Sequence, residues 1–205
     1  MNSTLRVPLN TSPDQEERLR ELQRAFADVC NALTPVVRDR RLWNRVALHH
    51  LAYRALREQF PAMGSQMVCN AIYAVCRAAR IVYQHPQSPF NMARFKDGKL
   101  PLLQFDEHCP VVFDRHTLSL KAGQLSMYTL DGRIRFQLQF SPADEARFHT
   151  ERLRELLLSR LPAGGFELVF LFGEKDEEQE QDGAVSPLGA ASGAVPNYVH
   201  VEEPI

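Results

Sequence analysis

The sequence predicts an α+β fold in which three helices are inserted between the first strand of an antiparallel sheet and the rest of that sheet. Two observations predict this class. Apolar residues recur at helical spacing through much of residues 12–83, whereas residues 99–140 hold short runs of alternating apolar and polar residues separated by turn sequences. With 205 residues, 44% of them hydrophobic, the chain can bury one moderate core or two small ones.

The chain is predicted to start with a strand and a helix. Residues 4–10 alternate between apolar and polar side chains, which is typical of a strand. Ser12 is a favoured N-cap residue, Pro13 suits the first helical position, and Gln15 can complete a capping box. We expect this helix to end near Pro35, because proline lacks the amide hydrogen that a continuing helix needs.

Two further helices are predicted in the N-terminal half. The second covers about residues 40–59 and has apolar ridges on two sides, one with Val46 and the other with Leu51. We therefore expect neighbouring elements to sandwich it. The third begins at Ser65 and runs to about Tyr83, with one apolar side for the core.

Five short alternating runs follow and predict an antiparallel meander. Tight turns are predicted at Ala122-Gly123 and Asp131-Gly132. In the last run, apolar residues point to one face of the sheet and polar residues to the other. The apolar set is Ile134, Phe136, Leu138 and Phe140, and the polar set is Arg133, Arg135, Gln137 and Gln139.

The C-terminal region is predicted to hold one more helix, a closing strand and a tail. The helix covers 142–161 with Ser141 as its N-cap, and Gly164-Gly165 turns the chain into a strand at 166–172. Residues 174–205 are acidic and rich in Gly, Ala and Pro, without apolar periodicity, which is typical of a tail.

The charge distribution and the cysteine spacing limit which class of protein this chain can belong to. Residues 174–205 hold eight acidic residues and one lysine, so residues 1–173 carry 23 basic and 17 acidic residues, a net charge of +6. The four cysteines have no paired spacing, which predicts buried thiols. The chain shows no signal peptide or spanning segment, so we expect a soluble, cytoplasmic protein without membrane partners.

Polar side chains on the second and third helices are candidates for nucleic-acid binding. Those on the second helix are Arg41, Arg45, His50, Arg54 and Arg57, and those on the third, opposite its core side, are Gln66, Asn70, Tyr73, Arg77 and Arg80. Amide, aromatic and guanidinium groups suit phosphates, sugar hydroxyls and base edges. The alternative is an ordinary solvated helix surface, with Tyr73 in a packing role.

The predicted sheet extends this basic surface. Arg133 and Arg135 lie on its polar face near Lys121, and Arg115 is a further candidate. These charges either bind nucleic acid or protect the sheet from edge pairing, and the sequence leaves both interpretations open. The sequence shows no catalytic constellation, no phosphate loop and no metal-ligand spacing, so we predict no enzyme activity, no cofactor and no metal site.

Three stretches of the chain resemble a known family. They are "RLWNRVALHHLAYRALREQFPAMGSQMVCNAIYAVCRAAR", "PVVFDRHTLSLKAGQLSMYTLDGRIRFQLQF" and "GGFELVFLF". The chain is similar here to the N-terminal half of the TnpB family of transposon-encoded RNA-guided nucleases, relatives of the compact type V CRISPR effectors. The resemblance covers roughly residues 4–173, and its most specific parts are "LREQFPAMGSQMVCNAI" and "SMYTLDGR".

The resemblance implies an α+β fold with a small antiparallel, wedge-like β-barrel and a three-helix recognition bundle inserted after the first strand. Residues 1–11 plus 96–173 would form the barrel with its one helix (142–161), residues 12–95 the helical recognition domain, and residues 174–205 the acidic tail. In the family a RuvC nuclease domain follows the closing strand. Here that tail follows instead, so the resemblance does not imply cutting.

The resemblance also implies roles for individual residues. The helices would contact a guide-target heteroduplex through Tyr53, Arg57, Gln66, Asn70, Tyr73 and Arg77, and the barrel would grip guide RNA through Arg133 and Arg135. The first hypothesis is a nuclease-lacking guide-RNA-binding protein. It would act in RNA-guided DNA binding or in a CRISPR-type ribonucleoprotein, with target DNA and a separate nuclease or CRISPR subunits as further partners. The alternative is a protein-protein assembly subunit that binds no nucleic acid.

Overall fold

A computed structural model of the chain confirms the α+β class. It describes residues 3–95, 98–114, 116–173 and 193–203. In chain order the elements are β1 (Ser3–Pro8), α1 (Pro13–Arg40), α2 (Arg45–Gln59), α3 (Ser65–Ala79), a π-helical turn (Arg80–Gln84), a 3-10 turn (Met92–Phe95), β2 (Leu102–Phe105), β3 (Val111–Phe113), β4 (Leu118–Lys121), β5 (Gln124–Thr129), β6 (Gly132–Gln137), α4 (Pro142–Thr150), β7 (Arg152–Arg160), β8 (Phe166–Gly173) and β9 (Val199–Glu202).

The chain divides into two compact units. Unit 1 comprises Met1–Gln23 and Pro110–Glu180, and unit 2 comprises Arg24–Cys109 and Gln181–Ile205. This division differs from the predicted domains, because α1 contributes residues to both units and β2 belongs to unit 2. No helix in the described part of the chain combines the length and the apolar character needed to cross a bilayer.

The start of α1 follows the predicted capping box. The Gln15 amide donates to the Ser12 hydroxyl at 3.2 Å, and the Ser12 amide donates to the Gln15 side-chain oxygen at 2.9 Å. The predicted end near Pro35 is wrong, because α1 continues to Arg40. Pro35 cannot donate to the Asn31 carbonyl, but the Thr34 hydroxyl does so at 3.1 Å and satisfies that oxygen.

Unit 1 is built on an antiparallel sheet of order β1-β8-β7-β3. Every residue of β8 is buried, as expected of a central strand with both faces covered. The prediction of a helix over 142–161 is wrong: α4 ends at Thr150, and β7 occupies Arg152–Arg160. Leu156, Leu157 and Leu158 are all buried in β7, and such a continuous apolar run cannot be distinguished from a helix by periodicity.

A second sheet of unit 1, of order β4-β5-β6, follows the sequence closely. Gly123 (φ 75°) and Gly132 (φ 88°) form the two predicted turns, where the left-handed backbone favours glycine. Four apolar side chains of β5 and β6 are buried on one face, and they are Leu125, Met127, Ile134 and Phe136. The residues that alternate with these four along β5 and β6 are polar or aromatic and point to the opposite face.

Unit 2 contains α2, α3 and a two-stranded sheet of β2 and β9. The Asn31 side chain donates to the Phe105 carbonyl at 2.8 Å and accepts from the Phe105 amide at 2.7 Å, as a neighbouring strand would. The Tyr83 hydroxyl donates to the Pro101 carbonyl at 2.6 Å, and burial raises the pKa of Tyr83.

The predicted barrel and tail both need correction. The described strands form three sheets of four, three and two strands, and none of these sheets closes into a barrel. The prediction of an unstructured tail over 174–205 is wrong at its C-terminal end, because β9 (Val199–Glu202) pairs with β2. Residues 174–192 and Arg115 lie outside the described residues.

Candidate nucleic-acid interface

The β4-β5-β6 sheet exposes a row of polar side chains on the side opposite its buried residues. We call this the β4–β6 face, and it consists of Ser119, Lys121, Gln124, Ser126, Tyr128, Arg133, Arg135 and Gln137. Antiparallel partners point to the same side of a sheet, so the register places these residues together. Among the described residues of β4, β5 and β6, none on this face is acidic, and Lys121, Arg133 and Arg135 give it three positive charges.

Tyr128 and Arg133 are in direct contact on the β4–β6 face. They are register partners, and the Arg133 guanidinium carbon lies 4.1 Å from the centroid of the Tyr128 ring. Arg133 also donates to the carbonyl and the hydroxyl of Ser126, at 3.2 and 3.1 Å. The guanidinium group therefore lies over the ring of Tyr128, a residue that is itself 43% exposed.

Two carboxylates of unit 1 are paired on other elements. The Ser3 hydroxyl donates to Glu151, and this bond, together with the Arg147 guanidinium, holds the pKa of Glu151 below its ordinary value. Glu167 of β8 pairs with Arg6 of β1. Neither carboxylate belongs to β4, β5 or β6.

The polar side of α3 in unit 2 differs from its prediction. Asn70 is only 4% exposed, so the expectation that it faces away from the core is wrong. Met67, Ala74 and Ala78 share its side of the helix and are buried too, which shows that this side is packed. The other four predicted residues of this side are each partly buried: Gln66, Tyr73, Arg77 and Arg80.

Arg45, Tyr73 and Arg77 form a second basic cluster in unit 2, the Arg–Tyr–Arg cluster. The guanidinium carbons of Arg45 and Arg77 lie 5.4 and 5.5 Å from the centroid of the Tyr73 ring. Arg45 stands at the start of α2 and is exposed, whereas Tyr73 and Arg77 lie on α3 and are partly buried. The cluster joins α2 to α3 by cation-π contacts and also presents positive charge.

Two predicted arginines of unit 2 bond to backbone carbonyls. Arg41 donates to the carbonyls of Phe95 and Gly98 at 2.7 and 2.8 Å, and so holds the loop before β2. Arg57 donates to the carbonyl of Met63 and closes the connection between α2 and α3. These contacts give both side chains a structural role.

The remaining candidates on α2 lie on its outer surface. The Arg54 side chain is 94% exposed and lies 3.3 Å from the Glu58 carboxylate. His50 is exposed, and Tyr53 stacks on His49 with ring centroids 4.6 Å apart. The expected sandwich of α2 is wrong, since Val46 and Leu51 are 61% and 50% exposed and the buried residues of α2 are Leu48, Ala52 and Leu56.

The cysteines are free thiols, as predicted. Cys30, Cys76 and Cys109 are buried and Cys69 is partly exposed. Burial raises the pKa of the Cys30 thiol, and a hydrogen bond with Cys109 raises it further. Within the described ranges, no group of three or more His, Cys, Asp or Glu residues could hold a metal ion.

The structure adds members to the site that the sequence analysis did not single out. Tyr128, Ser126 and Gln124 share the β4–β6 face with the predicted arginines. The signal was present in the alternation of "QLSMYT", where every second residue is polar or aromatic. The alternation that predicts the polar face of β6 thus also runs through β5.

No family model matches the chain, and no curated protein matches it either. The resemblance to the TnpB family therefore has no support from these comparisons and stays a prediction.

Proposed function

We propose that the protein binds RNA and that the β4–β6 face is its main contact surface. The observation that carries the proposal is the composition of this face: eight polar or aromatic residues, three of them basic and none acidic. An ordinary solvated sheet surface mixes both signs of charge. Positive charge, amide groups and an exposed ring together match the phosphates, base edges and base faces of a nucleic acid.

The Arg–Tyr–Arg cluster supports the same function more weakly. It offers two guanidinium groups beside one ring, but only Arg45 is exposed. The buried Asn70 and the backbone-bonded Arg41 and Arg57 do not add to it. We therefore place the strongest contribution to RNA affinity in unit 1.

The family resemblance suggests which RNA is bound. It favours a guide RNA as the ligand, and target DNA or an RNA–DNA heteroduplex as a further partner. In such assemblies base pairing selects the sequence, and the protein contacts the backbone and the shape of the nucleic acid. A surface of arginine, lysine and glutamine is compatible with that division of roles.

A binding titration tests the proposal. The probe is a fluorescein-labelled RNA hairpin with a single-stranded extension, and the double variant Lys121→Ala/Arg135→Ala is compared with the wild-type protein over a range of salt concentrations. Both side chains are exposed, so the fold should tolerate their loss. We expect at least about tenfold weaker binding and a salt slope reduced by about 2, because two phosphate contacts are lost.

The matched control is Arg20→Ala/Arg152→Ala, which removes the same charge from exposed positions elsewhere in unit 1. It should keep the wild-type salt slope to within about half a unit, because neither arginine lies on the β4–β6 face. Equal effects of the two double variants would show that only net charge matters and would overturn the assignment to this face. A wild-type protein that does not bind the probe would overturn the proposed function.

One observation favours the alternative of a protein-protein assembly subunit. Val46 and Leu51 are large apolar residues of α2, and they are 61% and 50% exposed. They lie on different sides of α2, so each side offers one apolar side chain that a docked protein could bury. The assembly function replaces the first proposal if the purified protein binds no RNA but forms a stoichiometric complex with another protein, and if Val46→Asp/Leu51→Asp disrupts that complex.

A further inference from the structure

The exposed ring of Tyr128 suggests which form of RNA the β4–β6 face accepts. Tyr128 is 43% exposed, although the other central residues of β5, Leu125 and Met127, are completely buried on the opposite side of the sheet. Arg133 lies against the ring, and Ser126 holds Arg133 in place through two hydrogen bonds. The ring is thus in contact with a hydrogen-bonded arginine and the residue is still partly accessible, as a stacking platform for a ligand requires.

The dimensions of the face limit the ligand. Gln124 and Tyr128 lie four residues apart on β5, which corresponds to about 13 Å at about 3.3 Å per residue, and three strands span about 10 Å. A platform of this size accommodates about two or three stacked bases. Double-stranded-RNA-binding domains that recognise a duplex by its grooves contact a longer surface, of about 16 base pairs.

We propose that the β4–β6 face binds unpaired nucleotides, with one base stacked on Tyr128 and the flanking phosphates near Lys121 and Arg135. This inference rests on the proposed RNA-binding function. In a duplex, neighbouring base pairs already cover both faces of each internal base, so the ring has no partner there. In a single strand the base faces are free, and stacking on an aromatic side chain replaces their contact with water.

The register of the sheet supports this geometry. Tyr128 and Arg133 form one end of the face, and Lys121 with its partner Gln124 forms the other, with Ser126 and Arg135 between them. The aromatic platform is therefore separated from Lys121 along the strands, and Arg135 lies between the two. A strand of nucleotides that stacks at one end can extend its phosphates across Arg135 towards Lys121.

The test compares two RNA probes of the same sequence, one single-stranded and one in a blunt duplex. Tyr128→Leu removes the ring and keeps an apolar side chain, while Tyr128→Phe keeps the ring. We expect Tyr128→Leu to weaken single-strand binding about 5- to 100-fold, since stacking on one aromatic residue contributes that much per base. Duplex binding should change less than about twofold, and Tyr128→Phe should recover most of the single-strand affinity.

A second readout follows the base itself. In a single-stranded probe that contains 2-aminopurine, stacking on Tyr128 should quench the fluorescence of that base on binding, and Tyr128→Leu should abolish the quenching. Denaturant midpoints of the three proteins show whether the variants are folded.

The outcomes separate the two proposals. If the wild-type protein binds both probes and Tyr128→Leu weakens both equally or neither, the stacking inference is overturned while RNA binding stands. If the wild-type protein prefers the duplex probe, the inference is overturned in the same way. If it binds neither probe, both the inference and the proposed function are overturned.

Discussion

The β4–β6 face of unit 1 and the polar side of α3 in unit 2 carry similar residues but differ in how they use them. Both combine arginine, amide and tyrosine side chains without acidic residues. On the sheet Arg133, Arg135 and Tyr128 are exposed, whereas on the helix Asn70 is buried and Arg77 is partly buried. Similar residue types therefore form an accessible surface in unit 1 and a packed surface in unit 2.

The difference follows from the two periodicities. In a paired strand, alternate residues must point to opposite faces, so the residues between the buried positions of β5 and β6 share the other face, which is largely exposed. In a helix, successive side chains are about 100° apart and neighbours can cover any sector. Small residues such as Ala74 and Ala78 beside Asn70 permit close packing there, so a polar stripe on α3 did not guarantee solvent contact.

The largest expected effect is on the free energy of unfolding, and it tests whether the α3 side is buried while the β4–β6 face is exposed. Asn70→Asp is nearly isosteric but introduces a carboxylate at a position that is 4% exposed, so we expect a loss of about 2–4 kcal/mol in the free energy of unfolding near neutral pH. Arg135→Asp reverses a charge at an exposed position and should change that free energy by less than about 0.5 kcal/mol. Urea unfolding curves measure both. Similar shifts for the two variants would mean that the α3 side is as accessible as the β4–β6 face.

A smaller effect is expected from the turns that hold the β4–β6 face in register. Gly123 and Gly132 both have positive φ, at 75° and 88°. A Cβ at Gly123 would lie 2.7 Å from the Leu138 carbonyl oxygen, whereas a Cβ at Gly132 meets nothing within 4 Å. We expect Gly132→Ala to cost about 1 kcal/mol from backbone strain alone and Gly123→Ala about 2–3 kcal/mol.

The same unfolding curves compare the two glycine variants, and Gly132→Ala is the matched control for backbone strain. If both variants lose equal stability, the hairpin relaxes around Gly123 without cost, and the contact with Leu138 does not fix the position of the β4–β5 turn. RNA binding by the folded variants adds a second measure. Gly123→Ala should weaken it more than Gly132→Ala, because its effect on the backbone extends to the β4–β6 face.

The features that sequence analysis predicted correctly depend on local interactions. The capping box at Ser12, the N-cap at Ser141 and the turns at Gly123 and Gly132 each involve residues within a few positions of one another. The alternation in β6 likewise fixed the side of Arg133 and Arg135 before any tertiary contact was known. This local information was enough to place the basic residues of the candidate site.

The errors arose where distant residues decide the structure. Residues 152–160 form β7 because β8 and β3 pair with them, and Val199–Glu202 form β9 because β2 does. The amino-acid composition of these two segments does not predict which strand each one pairs with. Asn70 is buried by packing of its side of α3, which a helical wheel does not show. The exception is α1, where the neighbouring Thr34 hydroxyl, a local contact, carries the helix past Pro35.

The smallest expected effect concerns the carboxylates that unit 1 holds apart from the β4–β6 face. The Ser3 hydroxyl and Arg147 lower the pKa of Glu151 from its ordinary value of 4.5, so the folded state favours the ionised form. A lowered folded-state pKa contributes stability that is present above the unfolded value and is lost as the pH falls through the folded value. The wild-type protein should therefore exceed Glu151→Gln in stability near pH 7, and the difference should shrink as the pH drops below about 4.

Unfolding curves over this pH range measure the difference, and Glu145→Gln, which removes a carboxylate from an exposed position of α4, is the control for the loss of one acidic charge. RNA binding should not follow the same titration, because Glu151 does not belong to the β4–β6 face. A stability difference that stays constant with pH would mean that the Glu151 contacts do not distinguish its ionised form. A loss of RNA affinity in Glu151→Gln at neutral pH would mean that the pairing of carboxylates in unit 1 and the accessibility of the β4–β6 face are coupled rather than independent.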